Sequence, residues 1–161
     1  MDEYKLAKKC VKKLKKHGLN LATAESLTGG MIAERLVSVP GASLVYEEGF
    51  VTYSSFSKVK NLLVDPVIIA KNGVASYPVA REMAKGILYV SDTDYALATT
   101  GVAGPKSDEY NTKVGTVYIS CASREHVIVR KYHFRGNRDK IRLKTTIAAF
   151  KLLLYVLKND L

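Results

Sequence analysis

The segment from Leu19 to Met31 constrains this chain more than any other. Leu19–Ala24 is a compact apolar run. Glu25-Ser26-Leu27-Thr28-Gly29-Gly30 is a polar turn ending in two glycines, and a helical pattern starts near Met31. A strand that passes through a glycine turn into a helix is half of a βα unit, and such units build parallel sheets with helices on their faces. A second run of the same kind, Tyr95–Thr100, leads into Gly101-Val102-Ala103-Gly104-Pro105 and a polar loop to about Lys113.

The rest of the pattern fits around these two runs. Ala7, Cys10, Val11 and Leu14 fall at helical spacing within 4–16, and His17-Gly18 ends that helix. Pro40-Gly41-Ala42-Ser43 breaks the helix that follows Gly30. Phe50–Tyr53 reads as a strand, Ser55 as the cap of a short helix to Leu63, and Asp65-Pro66 as the start of another. Ser76 and Pro78 open a helix to about Tyr89, with Val79, Met83 and Ile87 on one face. Val114–Cys121 and His126–Phe134 read as two more strands. Asn137 caps a last helix whose Ile141, Thr145, Ala148, Leu152 and Tyr155 form a stripe. Alternating helices and strands that end in an antiparallel pair predict one domain over 1–161. Its expected form is a three-layer α/β/α sandwich around a mixed, mainly parallel sheet, with sites in loops at strand ends.

Composition narrows the function classes. A chain of 161 residues buries enough surface to fold without a disulfide or structural metal. Cys10 and Cys121 form no CxxC pair, and His17, His126 and His133 are scattered, so no metal or cofactor is expected. The longest apolar run, Leu152–Leu157, is far short of the roughly 20 residues that span a membrane. MDEYKLAKKC has no apolar signal core, which gives a cytoplasmic expectation. The formal charge is +10, from 25 Lys plus Arg against 15 Asp plus Glu. Both basic excesses lie at the ends, in 1–16 and 124–161, away from the glycine turns. Solvated helix faces account for them, and nucleic acid is disfavoured as a partner.

Four groups of residues are candidates for chemistry. Ser26, Thr28, Gly29 and Gly30 form a strand-to-helix turn that either binds an anion on free helix N–H groups or simply caps the helix. It lacks the Gly-Lys-Ser/Thr of a P-loop and the spacing of a dinucleotide fingerprint. Ser43 with Tyr53 and Lys58 offers a hydroxyl and a base, provided burial brings the lysine down from about 10.4 toward 7–8; an ordinary turn serine and a surface lysine are the other reading. Thr100, Gly101 and Gly104 at a strand end suit an oxyanion or a nucleotide edge, or a plain strand exit. Arg135, Arg138 and Arg142 surround the start of the last helix, either clamping a phosphate or carboxylate or forming a solvated face.

Taken together, these segments resemble the CinA C-terminal domain family, which includes stand-alone nicotinamide mononucleotide amidohydrolases. The segments that carry the resemblance are Ala24–Gly30, Pro40–Ser43, Gly49–Ser54 with Lys58, Gly101–Pro105, Val114–Val117 and Gly136-Asn137-Arg138. They occur in matching order from about residue 5 to 157. The resemblance implies an α/β/α fold and metal-independent hydrolysis of the carboxamide of nicotinamide mononucleotide to nicotinate mononucleotide and ammonia, a salvage reaction of pyridine nucleotides. It assigns Ser43 as nucleophile, Lys58 as base, Tyr53 as a helper in proton transfer and Thr100 as a polar group near the amide. The substrate phosphate is expected among Ser26, Thr28, Gly29, Gly30 and Arg138, with Gly101 and Gly104 also at the site. A homo-oligomer is implied as well.

The chain departs from the family pattern at Leu27, where cysteine is common, and at Lys106-Ser107-Asp108-Glu109 and Thr112-Lys113 in the loop after Pro105. That loop motivates a second expectation, a non-catalytic nucleotide-binding or interaction module. Many family members carry an additional N-terminal domain; these 161 residues are expected to hold only the one.

Overall fold

The computed structural model describes residues 1–161. In chain order the elements are α1 (Glu3–His17), β1 (Leu21–Glu25), α2 (Met31–Val37), a 3-10 turn (Ala42–Leu44), β2 (Tyr46–Val51), α3 (Ser55–Leu62), α4 (Pro66–Asn72), α5 (Tyr77–Ser91), β3 (Tyr95–Gly101), β4 (Thr116–Ser123), β5 (Val127–His133) and α6 (Arg138–Asp160). Local chemistry sets most boundaries. Asp2 caps α1 by accepting from Lys5 N, and Gly18 closes it in the left-handed region at φ 65°. Asp65, Ser76 and Asn137 cap α4, α5 and α6 as their sequences predict. The cap of α3 is Ser54, one residue before the expected Ser55.

The five strands form one sheet in the order β2-β1-β3-β4-β5. β2, β1 and β3 run parallel, and β4 and β5 continue as an antiparallel pair. This is the three-layer α/β/α sandwich with a mixed sheet that the sequence predicts.

Strand alternation sorts side chains between the two faces. Leu21, Leu97, Ile119 and Cys121 join α1, α2 and α6 in the larger core, which includes the fully buried Phe150. Ala22, Ala24, Ala96, Ala98 and Ala122 form an alanine floor under α5. Small side chains on the floor, and Gly86 on the helix, let α5 settle close to the sheet and to α3. A Cβ at Gly86 would collide with the Leu62 carbonyl.

Two segments differ from their sequence reading. β2 starts at Tyr46, not Phe50, because it is an edge strand whose half-buried Tyr46, Glu48 and Phe50 alternate with exposed Glu47, Gly49 and Val51. Its Glu-Glu-Gly stretch looks too polar for a strand until one face is known to meet water. Tyr155 is not part of the buried stripe of α6; it is 46% exposed, with the Arg130 guanidinium 4.3 Å above its ring. Cys10 and Cys121 are buried free thiols, and burial pushes both up from the ordinary thiol range. No helix is long and apolar enough to cross a membrane.

Candidate active site

In a parallel sheet, whatever follows a strand gathers at its carboxyl end. Ser26 follows β1 directly, and its N–H donates to the Thr99 carbonyl on β3 at 3.1 Å. Thr52 and Tyr53 follow β2, and α3 then carries Lys58 back over the same end. Lys58 is fully buried, the one Lys or Arg side chain of the protein that is. Its Nζ lies 3.1 Å from Ser26 Oγ and donates to the Thr52 carbonyl at 2.7 Å. Burial lowers its pKa from 10.5 to about 8. In the neutral amine, N–H groups serve Thr52 O while the lone pair is available to the Ser26 hydroxyl. That is the geometry of a nucleophile and its base.

A cavity of about 270 Å³ opens over Ser26, lined by Leu27, Tyr53, Val74, Gly101–Gly104, Lys106–Asp108 and Arg138. Arg138 of α6 bridges two of its walls: Nη2 donates to Tyr53 Oη at 2.7 Å and Nη1 to the Gly104 carbonyl at 2.6 Å. Leu27 and Thr28 are buried, and neither of their N–H groups finds a protein acceptor. These unpaired donors directly follow Ser26, where an oxyanion hole requires them. Leu27 and Thr28 face the other way with their carbonyls, which accept from Arg142 Nε at 2.8 Å and Nη2 at 3.2 Å.

The residues singled out in the sequence divide into two groups. Ser26, Tyr53, Gly101, Gly104 and Arg138 line the cavity, and Lys58 lies beneath it against Ser26. Ser43 is not brought to Lys58. It sits in the 3-10 turn ahead of β2, where the Val45 carbonyl accepts from Leu21 N at the start of β1. The six residues of β2, about 20 Å long at 3.3 Å each, separate that end of the sheet from the cavity. Ser43 instead lines a depression with Val37, Pro40 and Tyr46. Thr100 closes the end of β3, its hydroxyl donating to the Val74 carbonyl at 2.7 Å.

The Thr28-Gly29-Gly30 turn is not an open anion site. The carboxylate of buried Glu25 accepts from Ile32 N at 2.9 Å and Ala33 N at 3.0 Å, and so occupies the N-terminus of α2 from within the protein. Thr28 Oγ1 is paired with Thr99 Oγ1 at 2.8 Å. Glu25 and the free N–H groups of Leu27 and Thr28 are the parts that sequence reasoning missed, whereas the Lys106–Asp108 loop, marked in the sequence as a departure from the family pattern, lines the cavity. A capping carboxylate ahead of a helix is a visible signal; unpaired N–H groups are not. No three His, Cys, Asp or Glu side chains gather into a metal-holding group.

Fold and site together define a class: a three-layer α/β/α domain with a buried serine–lysine pair at the carboxyl end of its parallel strands. The CinA C-terminal domain model matches residues 3–157, and the chain belongs to that family. It is 39% identical over 153 residues to a putative competence-damage inducible protein of Caldanaerobacter subterraneus subsp. tengcongensis, covering 95% of this chain and 37% of the relative. It is 44% identical over 140 residues to a CinA-like protein of Geobacter sp. M21, covering 87% and 34%. The chain thus spans about a third of the length of these relatives. Among solved structures, the CinA superfamily protein KP700603 from Klebsiella pneumoniae 700603 aligns with a TM-score of 0.96 at 29% identity, over 99% of both chains. The competence/damage inducible protein CihA from Agrobacterium tumefaciens aligns with a TM-score of 0.93 at 34% identity, over 98% and 96%.

Proposed function

We propose that this domain is a metal-independent amidohydrolase that converts nicotinamide mononucleotide to nicotinate mononucleotide and ammonia, with Ser26 as nucleophile. The observation that carries the reading is the fully buried Lys58, lowered to about 8 and set 3.1 Å from Ser26 Oγ. Family membership supplies the substrate class through the resemblance described above. This reading takes Ser26 rather than Ser43 as the nucleophile, because Ser26 is the serine within reach of Lys58.

Ser26 Oγ attacks the carboxamide carbon while its proton passes to Lys58 Nζ. The carbonyl oxygen becomes an oxyanion against the N–H groups of Leu27 and Thr28. Lys58 returns the proton to the amide nitrogen as the C–N bond breaks, and ammonia leaves a nicotinyl ester on Ser26. Water then attacks the ester carbon, giving its proton to Lys58. Collapse of that second intermediate restores the Ser26 hydroxyl with the proton held by Lys58 and releases the carboxylic acid, which gives its proton to water to become the carboxylate product. Tyr53, fixed by Arg138, borders the same cavity and positions the substrate. Exposed Val51, at the end of edge strand β2, and exposed Phe56, at the start of α3, support a homo-oligomer within the same reading.

Ammonia release from nicotinamide mononucleotide is the test, run with EDTA present. The parent and Ser43→Ala are expected to turn over at rates within a factor of about two, while Ser26→Ala and Lys58→Ala fall by at least about 10³-fold, the scale lost with a nucleophile or its base. An active Ser26→Ala protein sinks the mechanism. An inactive parent sinks the reaction.

A further inference from the structure

Anion recognition at this site needs a donor set not already committed to the protein. The α2 N-terminus is closed by Glu25. Arg142 is held by the Leu27 and Thr28 carbonyls, and Arg138 by Tyr53 and Gly104. Arg135 does not line the cavity. What remains is the opposite wall of the cavity. Lys106 and Ser107 line it, and all the ion pairs of the structure involve other residues. The N–H groups of Ala103 and Gly104 are buried at the same wall and donate to no protein acceptor. Such buried donors are rare unless water or a ligand completes them.

The loop is also held in shape. Asp108 Oδ1 accepts from Tyr110 N at 3.1 Å and Thr112 N at 2.9 Å, while Oδ2 of this carboxylate, the one on this wall, is buried without a partner. Arg138 fixes the Gly104 carbonyl from the other side, which leaves the Gly104 N–H free while its carbonyl is taken.

We infer that Lys106 and Ser107, with the N–H groups of Ala103 and Gly104, form the subsite for the phosphate of a mononucleotide substrate. The inference rests on the amidase reading for the nucleotide and deepens it by locating its dianion. A tetrahedral phosphate accepts several hydrogen bonds at once, and this wall offers an ammonium, a hydroxyl and two amide donors to it. Ser26 lies across the same cavity, so the phosphate and the carboxamide are received by different walls.

The test compares nicotinamide mononucleotide with nicotinamide riboside, which lacks the phosphate, in the parent, Lys106→Ala and Lys106→Arg. The ratio of kcat/KM for nucleotide over riboside is expected to fall about 10- to 100-fold in Lys106→Ala, mainly through KM for the nucleotide, and to recover substantially in Lys106→Arg. An unchanged ratio overturns the subsite while leaving the amidase reading intact. Binding is read independently of turnover by titrating Ser26→Ala and the Ser26→Ala/Lys106→Ala double variant with the nucleotide and with inorganic phosphate. Weaker nucleotide binding in the double variant supports the subsite, even if the parent proves inactive; equal binding overturns it. Inorganic phosphate bound as tightly as the nucleotide, and lost equally with Lys106, identifies a free-anion site and overturns the substrate assignment.

Discussion

Replacing Lys58 with Met separates the buried amine from the rest of the structure. The side chains are similar in length, and Lys58 is fully buried, so the swap removes a titrating group while nearly filling its space. In the parent, burial lowers the amine from 10.5 to about 8. Between those values the unfolded chain binds more protons than the native one, so raising pH through the window stabilises the fold. Below about 8 both states are protonated, and the native state carries the full desolvation cost, on the order of 3 kcal/mol. Between pH 7 and 9.5 the parent should therefore gain about 2 kcal/mol relative to Lys58→Met. Urea titrations of both proteins across that range read the difference, and constant offsets from packing or from the unpaired Thr52 carbonyl cancel. On the proposed mechanism the same amine is the base, so kcat/KM of the parent should rise about 10-fold from pH 7 to 9, as neutral Lys58 grows from roughly a tenth to nine-tenths of the total. Parallel stability curves, together with a rate that is flat through pH 8, would refute the argument that burial makes Lys58 a base.

Other perturbations test the supports of the site. Glu25→Ala removes both carboxylate acceptors from the Ile32 and Ala33 N–H groups and should cost about 1–3 kcal/mol in urea unfolding; a neutral result would show that α2 needs no internal cap. Gly86→Ala places a methyl group on the Leu62 carbonyl, and overpacking of about 1–3 kcal/mol should outweigh the helix propensity gained. A raised melting temperature would disprove that close approach. Arg142→Ala releases the Leu27 and Thr28 carbonyls and should lower kcat about 10-fold with KM little changed, since the guanidinium orients the turn behind Ser26. A change confined to KM would instead place Arg142 on the substrate.

The fold was legible because its signals are local. Caps at Asp65, Ser76 and Asn137, glycine turns after two apolar runs, and helical spacing on α1 and α5 each act within a few residues. β2 was partly hidden, since an edge strand with one wet face does not need an apolar run. The site was legible only by composition. Lys58 and Tyr53 stand out as residues, but which serine meets Lys58 depends on the direction of β1 and β2. Ser43 is closer to Lys58 in sequence and lies at the wrong end of the sheet, because it precedes β2 while Lys58 follows it. Ser26 is farther away in sequence, and yet parallel pairing of β1 with β2 puts both carboxyl ends side by side. The rule that sites gather where parallel strands end selects Ser26 without any structure.

Glu25 bears on the proposed role of Lys58 as a base. It is a buried carboxylate immediately before Ser26, whose hydroxyl is a partner of Lys58. An ion pair would favour the ammonium and raise its pKa, leaving no lone pair for the serine proton. The structure gives both Glu25 oxygens to the N–H groups of α2 instead, and Lys58 is left with a neutral hydroxyl and a carbonyl as partners. Burial is then the named cause of its lowered pKa. The glycine turn that reads as an anion site in sequence thus brings α2 back over the end of β1, and strand alternation, which sets Glu25 on the sheet face of Leu21 and α2, keeps its carboxylate on the side away from α3.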